Sequence, residues 1–267
     1  MVEQRNIMVT TMDKKIDIHA HALPGIDDGA KNIEESIEVI NYLVKSGITD
    51  IVLTPHYIQD TNYKANEVIR DNLLKELQEK IKPINSDINL YLGNEVYICE
   101  NIIDLLERHE ISTLNDSRYM LIELPLTGYI NNLQNILWEL SSYGIIPIIA
   151  HPERYQFIQK NRDRIKELLE FNCLLQCNVD SLTGKYGKKA KKLMKWLLKN
   201  NLVHFIATDT HYIEDSGELN WSYKKLKKLI GETRYHELTY DNQVKALEDK
   251  DLDASSNLQY LIKKERN

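Results

Sequence analysis

The chain has 267 residues, a formal net charge of −6, and 42% hydrophobic and 28% charged residues. That size and apolar content exclude a disordered chain and suit one large α/β domain with a sizeable core. The acidic balance disfavours a nucleic-acid partner, no apolar run approaches the roughly 20 residues of a membrane span, and three cysteines are too few and odd in number for a disulfide framework.

Residues 1–14 hold no apolar signal core and read as an N-terminal extension of a cytoplasmic protein. KIDIH (15–19) predicts the first strand. A helix follows from about Asn32, with Ile33, Ile37, Ile40 and Val44 on one face, Asn32 and Glu35 as a capping pair and Gly47 at its end. ITDIVLTPH (48–56) predicts the second strand. A helix over about 65–82 stacks Ile69, Leu73, Leu77 and Ile81 until Pro83 stops it. INLYLGNEVYI (88–98) holds the third strand, and a short helix carries Ile102, Ile103, Leu105 and Leu106.

YMLIELPL (119–126) is the fourth strand, followed by a helix marked by Ile130, Leu133, Leu137 and Leu140 and closed by Gly144. IIPIIAH (145–151) is the fifth, with a helix over about 160–171. CLLQCNV (173–179) is the sixth, with a helix over about 187–200, and HFIATDTH (204–211) is the seventh. Helices over about 217–230 and 233–249 complete a domain spanning 15–250, and 251–267 is a tail that frays or packs weakly. Seven strand-then-helix units imply a parallel sheet with helices outside. With neither GxGxxG nor GxxxxGK[ST], the alternation favours a closed barrel over a doubly wound sheet. Cys173 and Cys177 read as small buried hydrophobes. The basic run GKYGKKAKKLMKW (184–196) has apolar residues at helical spacing and reads as a solvated helix face.

The strand ends carry the chemistry. The first ends at His19 and His21, with Asp27 and Asp28 just beyond; the second ends at His56; the third leads into Glu95; the fourth contains Glu123; the fifth ends at His151; the seventh ends at Asp209 and His211. In parallel barrels, C-terminal strand ends share one face, where catalytic groups gather. Any one of these residues alone reads as a cap, turn or surface group. Together, five histidines and several carboxylates are too costly to bury uncompensated, and they survive burial best around metal ions. Imidazole with carboxylate suits Mn, Fe or Zn, and His-x-His on a strand puts both side chains on one side. Eight or nine donors exceed one ion, so two or three are expected. Clustered divalent ions support phosphoester hydrolysis. Arg154 in HPERY, three residues past His151, is suited to grip phosphate oxygens, with a surface salt bridge as the plainer alternative. His109 and His236 read as surface residues and His204 as structural.

HAHALPGIDDG, TPH, GNE, LIEL, HPERY and TDTH occur in an order and spacing that resemble the PHP superfamily, and more closely the bacterial manganese-dependent protein-tyrosine phosphatases of the CpsB/YwqE type. The similarity spans roughly 15–245 and includes LNDSRY (114–119) and QCNVDSLTGKYG (176–187). The resemblance implies a distorted seven-stranded (β/α) barrel and a three-ion manganese site. His19, His21, Glu95 and Asp209 would hold one ion. Glu95, Glu123 and His151 would surround a second, and Asp28, His56 and His211 would hold a third, with Asp27 orienting its neighbours. Arg154 takes the phosphate-contacting position. The implied substrate is a phosphotyrosine-bearing protein, a bacterial tyrosine kinase with a tyrosine-rich tail that governs capsule or exopolysaccharide synthesis. The N-terminal extension departs from the family and leaves the assembly open, a homo-oligomer included. A small-molecule phosphatase of the histidinol-phosphate type, a PHP nuclease and a catalytically silent module that docks a kinase tail are the alternatives.

Overall fold

Parallel strands alternate with helices along the chain, and the strands curl around an apolar interior. The computed structural model describes residues 14–213 and 218–252, so most of the N-terminal extension and of the tail lies outside the described residues. In chain order the regular elements are β1 (Lys15–Ala20), α1 (Ile33–Lys45), β2 (Ile48–Leu53), β3 (His56–Tyr57), α2 (Glu67–Ile81), β4 (Asn89–Leu92), β5 (Glu95–Tyr97), α3 (Ile102–Glu107), β6 (Tyr119–Glu123), α4 (Leu133–Ser142), β7 (Ile146–Ile149), α5 (Gln156–Lys160), α6 (Arg164–Glu170), β8 (Leu174–Asn178), α7 (Gly187–Lys199), β9 (Phe205–Ala207), α8 (Glu218–Ile230), α9 (Glu232–His236) and α10 (Asn242–Leu247).

The strands form two parallel sheets, one ordered β1-β2-β4 and the other β3-β5-β6-β7-β8-β9. Seven continuous strands were expected; nine segments are described, because two expected strands are interrupted. The second breaks at Thr54-Pro55, where proline supplies no ladder N–H. The third breaks at Gly93-Asn94, where a side chain on Gly93 would meet Leu114 Cδ2 at 2.7 Å. Hydrogen bonds still cross the breaks, from Thr54 N to Ala20 O (2.9 Å), from Gly93 N to Leu53 O (3.0 Å) and from Glu95 N to Pro55 O (3.2 Å). An isolated parallel bridge between Ala20 and Thr210 links the end of β1 to the chain beyond β9.

Alternation along the strands divides the core. Met120, Ile122, Ile149, Leu175, Cys177 and Ile206 join the layer beneath the helices. Tyr119, Leu121, Ile148, Leu174, Phe205 and Ala207 face inward with Ile16, Ile18 and Val52. Extended by two residues, the inward rows reach Glu123 on β6, Gln176 on β8 and Asp209 beyond β9, and two residues further on β8 they reach Asn178. The interior is therefore apolar at its floor and polar at the C-terminal strand ends. In β1 the pairing slips between Asp17 and Ala20, and His19 and His21 join the polar layer.

The expected helix cap is present: Asn32 Oδ1 accepts from Glu35 N (2.9 Å), and Glu35 accepts from Lys31 N (3.0 Å). The expected stripes meet the core, with Ile33, Ile37 and Val44 of α1 and Leu73 of α2 packed against it, and the buried residues add to them. In α1 the buried residues are Ser36, Val39, Ile40, Tyr42 and Leu43, and in α2 Arg70, Leu77 and Ile81, with Ile69 exposed. The expected 160–171 helix is α6, and a further short helix, α5, precedes it. The last expected helix is α9 and α10 joined by a π turn at Glu237–Asp241. Among the described residues no helix is long and apolar enough to cross a membrane. Cys173 and Cys177 are fully buried, His109 and His236 pair with Glu67 and Asp241 near the surface, and buried His204 accepts from Leu175 N through Nδ1 (2.9 Å).

Candidate metal centre

The C-terminal strand ends bring His19, His21, Asp28, His56, Glu95, Glu123, His151, Asp209 and His211 into one cluster, with Arg154 at its edge. Glu95 Oε2 lies at the middle, 3.1 Å from His19 Nε2, 3.3 Å from His21 Nε2 and 3.1 Å from His56 Nδ1. Asp209 Oδ1 stands 3.4 Å from His19 Nε2 and 3.5 Å from His21 Nε2. Asp28 Oδ1 is 3.4 Å from His211 Nε2 and 3.6 Å from His56 Nε2. His151 Nε2 is 3.0 Å from Glu95 Oε1 and 3.8 Å from Glu123 Oε1.

Donor atoms within 4.8 Å of one another fall into three groups: His19, His21, Glu95 and Asp209; His21, Asp28, His56 and His211; and His56, Glu95 and Glu123. The first matches the set implied by the resemblance. In the second, His21 joins the expected three. In the third, His56 groups with Glu95 and Glu123, 3.1 and 3.8 Å from their carboxylates, while the expected His151 stands equally near both, at 3.0 and 3.8 Å.

These residues fit a cluster of cations. Glu95 Oε2 and His56 Nδ1 are buried and make no hydrogen bond, although nitrogen and oxygen donors crowd around them. Two donors bound to one ion at about 2.1 Å and a right angle stand about 3 Å apart, which is the spacing found around Glu95. Mixed imidazole and carboxylate ligation suits Mn, Fe or Zn.

Local structure explains why the donors converge. His151 (φ 33°) and Asp209 (φ 56°) have left-handed backbones, a conformation costing a non-glycine residue about 1–3 kcal/mol and concentrated at functional sites. Gly29 lies against the His21 backbone, where a Cβ would sit 2.0 Å from His21 O. Tyr155, fully buried, accepts from Leu124 N (2.9 Å) and packs edge-on against the His151 ring at 5.5 Å, bracing the end of β6 against the HPER turn.

A chain of amides fixes the imidazole tautomers. Asp209 Oδ2 can only accept, so Asn178 Nδ2 donates to it (2.7 Å). Asn178 Oδ1 then accepts from Gln176 Nε2 (2.9 Å), which leaves Gln176 Oε1 to accept from His19 Nδ1 (3.0 Å). On the other side Asp27 Oδ2 accepts from His21 Nδ1 (2.8 Å) and from His56 N (3.0 Å). Both rings thus carry hydrogen at Nδ1 and present Nε2 to the centre of the cluster, as the atom a cation would take. Sequence reasoning quoted QCNVDS without giving Gln176 or Asn178 a role. The available signal was two polar residues at period two in an otherwise apolar buried strand, pointing to the same side as its partners' carboxylates.

The charges are strongly coupled. Burial opposes a proton on His19, but Glu95 and Asp209 outweigh it and raise the imidazole to about 9. Burial, with the charges of Glu95 and Asp209, raises Glu123 to about 8. Burial lowers His56 to about 4, only partly offset by Glu95. A hydrogen bond with His211 lowers Asp28 to about 2. Carboxylates and imidazoles here hold one another's charge in place, and cations bound at the cluster would take over that balancing role. Arg154 Nη1 donates to Asp209 Oδ2 at 2.6 Å, and its guanidinium lies 4.5 Å from the centre of the Tyr186 ring.

Residues 15–248 match the family described as capsular polysaccharide synthesis, CpsB/CapC. The tyrosine-protein phosphatase CpsB of Streptococcus pneumoniae is 32% identical over 240 residues, covering 88% of this chain and 98% of the relative. The tyrosine-protein phosphatase YwqE of Bacillus subtilis is 34% identical over 201 residues, 74% of this chain and 78% of the relative. Among solved structures, one from work on YwqE and CpsB, described as metal-dependent tyrosine phosphatases, superposes with a TM-score of 0.82 at 30% identity, covering 89% of this chain and 96% of that one. A histidinol phosphate phosphatase from Lactococcus lactis shares the fold, with a TM-score of 0.55 at 15% identity over 85% of this chain and 97% of that one. By the match along nearly all of its described length, this chain belongs to the CpsB/CapC family.

Proposed function

We propose that this protein is a metal-dependent phosphoric monoester hydrolase that removes phosphate from tyrosine in proteins. The reading rests above all on one observation: nine histidine and carboxylate side chains, with Glu95 in their middle, converge beside the Arg154 guanidinium. The relatives named as tyrosine-protein phosphatases support the choice of phosphotyrosine. We read residues 15–250 as the catalytic unit, built as a distorted seven-stranded PHP-type barrel with two strands interrupted. The same reading makes the substrate the tyrosine-rich tail of a bacterial kinase controlling capsule or exopolysaccharide synthesis, met in the cytoplasm.

In this mechanism the nine residues would hold two or three manganese ions. Such ions lower the pKa of a water molecule and clamp phosphoryl oxygens. The protein's own groups do the rest. Arg154, positioned by Asp209 and the Tyr186 ring, supplies planar paired donors for the non-bridging oxygens and stabilises charge as the phosphoryl group transfers. Gln176, Asn178 and Asp27 keep hydrogen on the outer nitrogens of His19 and His21, so the inner nitrogens stay available. The leaving phenolate has a pKa of about 10 and needs less protonation than an alkoxide. A thiol nucleophile is disfavoured: burial raises the Cys173 and Cys177 thiols well above the usual range and Cys99 to about 11.

The test is turnover of a phosphotyrosine peptide, a phosphoserine peptide and histidinol phosphate, each with manganese and with chelator. Manganese-dependent hydrolysis of the phosphotyrosine peptide is expected to exceed the others. Rapid turnover confined to histidinol phosphate would contradict the reading, as would binding of a kinase tail with no hydrolysis.

A further inference from the structure

Helix α7 contains six lysines and no acidic residue in GKKAKKLMKWLLK, on a chain of net charge −6. Its buried side is Ala190, Leu193, Met194, Leu197 and Leu198. Lys188, Lys192, Lys195 and Lys199 therefore form one exposed stripe along about 16 Å of helix. Among the described residues none of these four has a carboxylate partner. Helix α8 adds to the charge rather than neutralising it. Lys225 meets Lys191 side chain to side chain with Lys195 nearby, and slight burial together with these like charges lowers its pKa. Like charges held together cost stability in the free protein, so a counter-charged occupant accounts for the arrangement better than solvent does.

The stripe begins at the candidate catalytic site. Lys185 and Tyr186, immediately before α7, line a recess of about 160 Å³ with Arg154, Asp209, His211 and Tyr212. The Tyr186 ring that carries Arg154 thus joins the phosphate-binding edge to the lysine face. An extended peptide advances about 3.3 Å per residue, so the stripe matches about five residues beyond the recess.

We propose that this lysine face docks an acidic segment flanking the phosphotyrosine of the substrate protein, its charge supplied by Asp, Glu or further phosphates. The proposal deepens the phosphatase reading and rests on it for the identity of the substrate. Acidic flanks would lower KM while leaving kcat alone, because the stripe touches none of the reacting atoms.

The experiment compares the manganese-loaded protein with its Lys192→Glu/Lys195→Glu variant. Two phosphotyrosine peptides are used, identical except for glutamates or glutamines on one flank. For the unaltered protein, KM for the glutamate peptide is expected about tenfold below that for the glutamine peptide, with the gap shrinking in high salt. The double variant is expected to lose the gap while hydrolysing free phosphotyrosine at the original rate. Equal KM values for the two peptides, or a gap that survives in the variant, would overturn the proposal. So would sedimentation with phosphatidylserine-rich vesicles that the variant loses while the peptides remain undistinguished, which would assign the face to a membrane surface. Fluorescence anisotropy with the unphosphorylated glutamate peptide separates this proposal from the phosphatase reading. Binding to the unaltered protein but not to the variant supports the docking face even if no phosphotyrosine is hydrolysed, and absence of binding overturns it.

Discussion

Arg154 and His21 both approach Asp209, yet their loss has different consequences. Arg154 contacts Asp209 but offers no lone pair to a cation, so Arg154→Ala is expected to keep its manganese and lose about 10²–10³ in kcat, the scale of one transition-state charge stabiliser. His21 shares two donor groups, and His21→Ala is expected to lose both bound metal and activity. Elemental analysis beside steady-state kinetics checks the contrast; equal metal loss in both variants would refute it. Gln176 acts through His19, so Gln176→Ala should weaken manganese affinity by about 10–100-fold with little effect on folding. The 15N shifts of the His19 ring, read by NMR, would report the lost Nδ1–H tautomer, and unchanged shifts would remove Gln176 from this role. The histidines, acids and Arg154 were legible because so many titratable groups at strand ends demand a shared explanation. Gln176 and Asn178 were not, because neutral amides signal nothing until their hydrogen-bond partners are known.

Short irregular segments between the elements shape the site as much as the strands do. The break at Pro55 sets His56 on its own two-residue strand beside Glu95, and the close contact of Gly29 with His21 fixes the turn carrying Asp27 and Asp28. Gly29→Ala is expected to displace His21, cost about 1–3 kcal/mol of stability through overpacking, and lower manganese content more than a surface substitution of equal stability cost would. Thermal unfolding paired with metal analysis checks this, and full metal content at normal affinity would contradict it. The strands were readable from apolar runs and the α1 cap from Asn32 and Glu35. The interruptions were not, since LTPH and LGNE look continuous by apolar pattern alone. The expected faces of α1 and α2 do meet the core, with Ile40, Leu77 and Ile81 inside it and Ile33, Ile37, Val44 and Leu73 packed against it, but Ile69 is exposed and the neighbouring Arg70 is buried in its stead.

At the scale of the molecule, residues distant in sequence meet because the parallel strands all end on one side and the last returns beside the first, through the Ala20–Thr210 bridge. Alternation predicted the parallel architecture, but the closing contact depends on twist and register that no local pattern records. The whole account depends on cations occupying this shared rim while phosphate is released from tyrosine. The most direct measurement is phosphate release from a phosphotyrosine peptide as manganese is titrated into chelator-stripped protein. The account predicts no turnover at the start and a rise that saturates at two or three ions per chain. Full activity before any ion is added, or none after saturation, would contradict it.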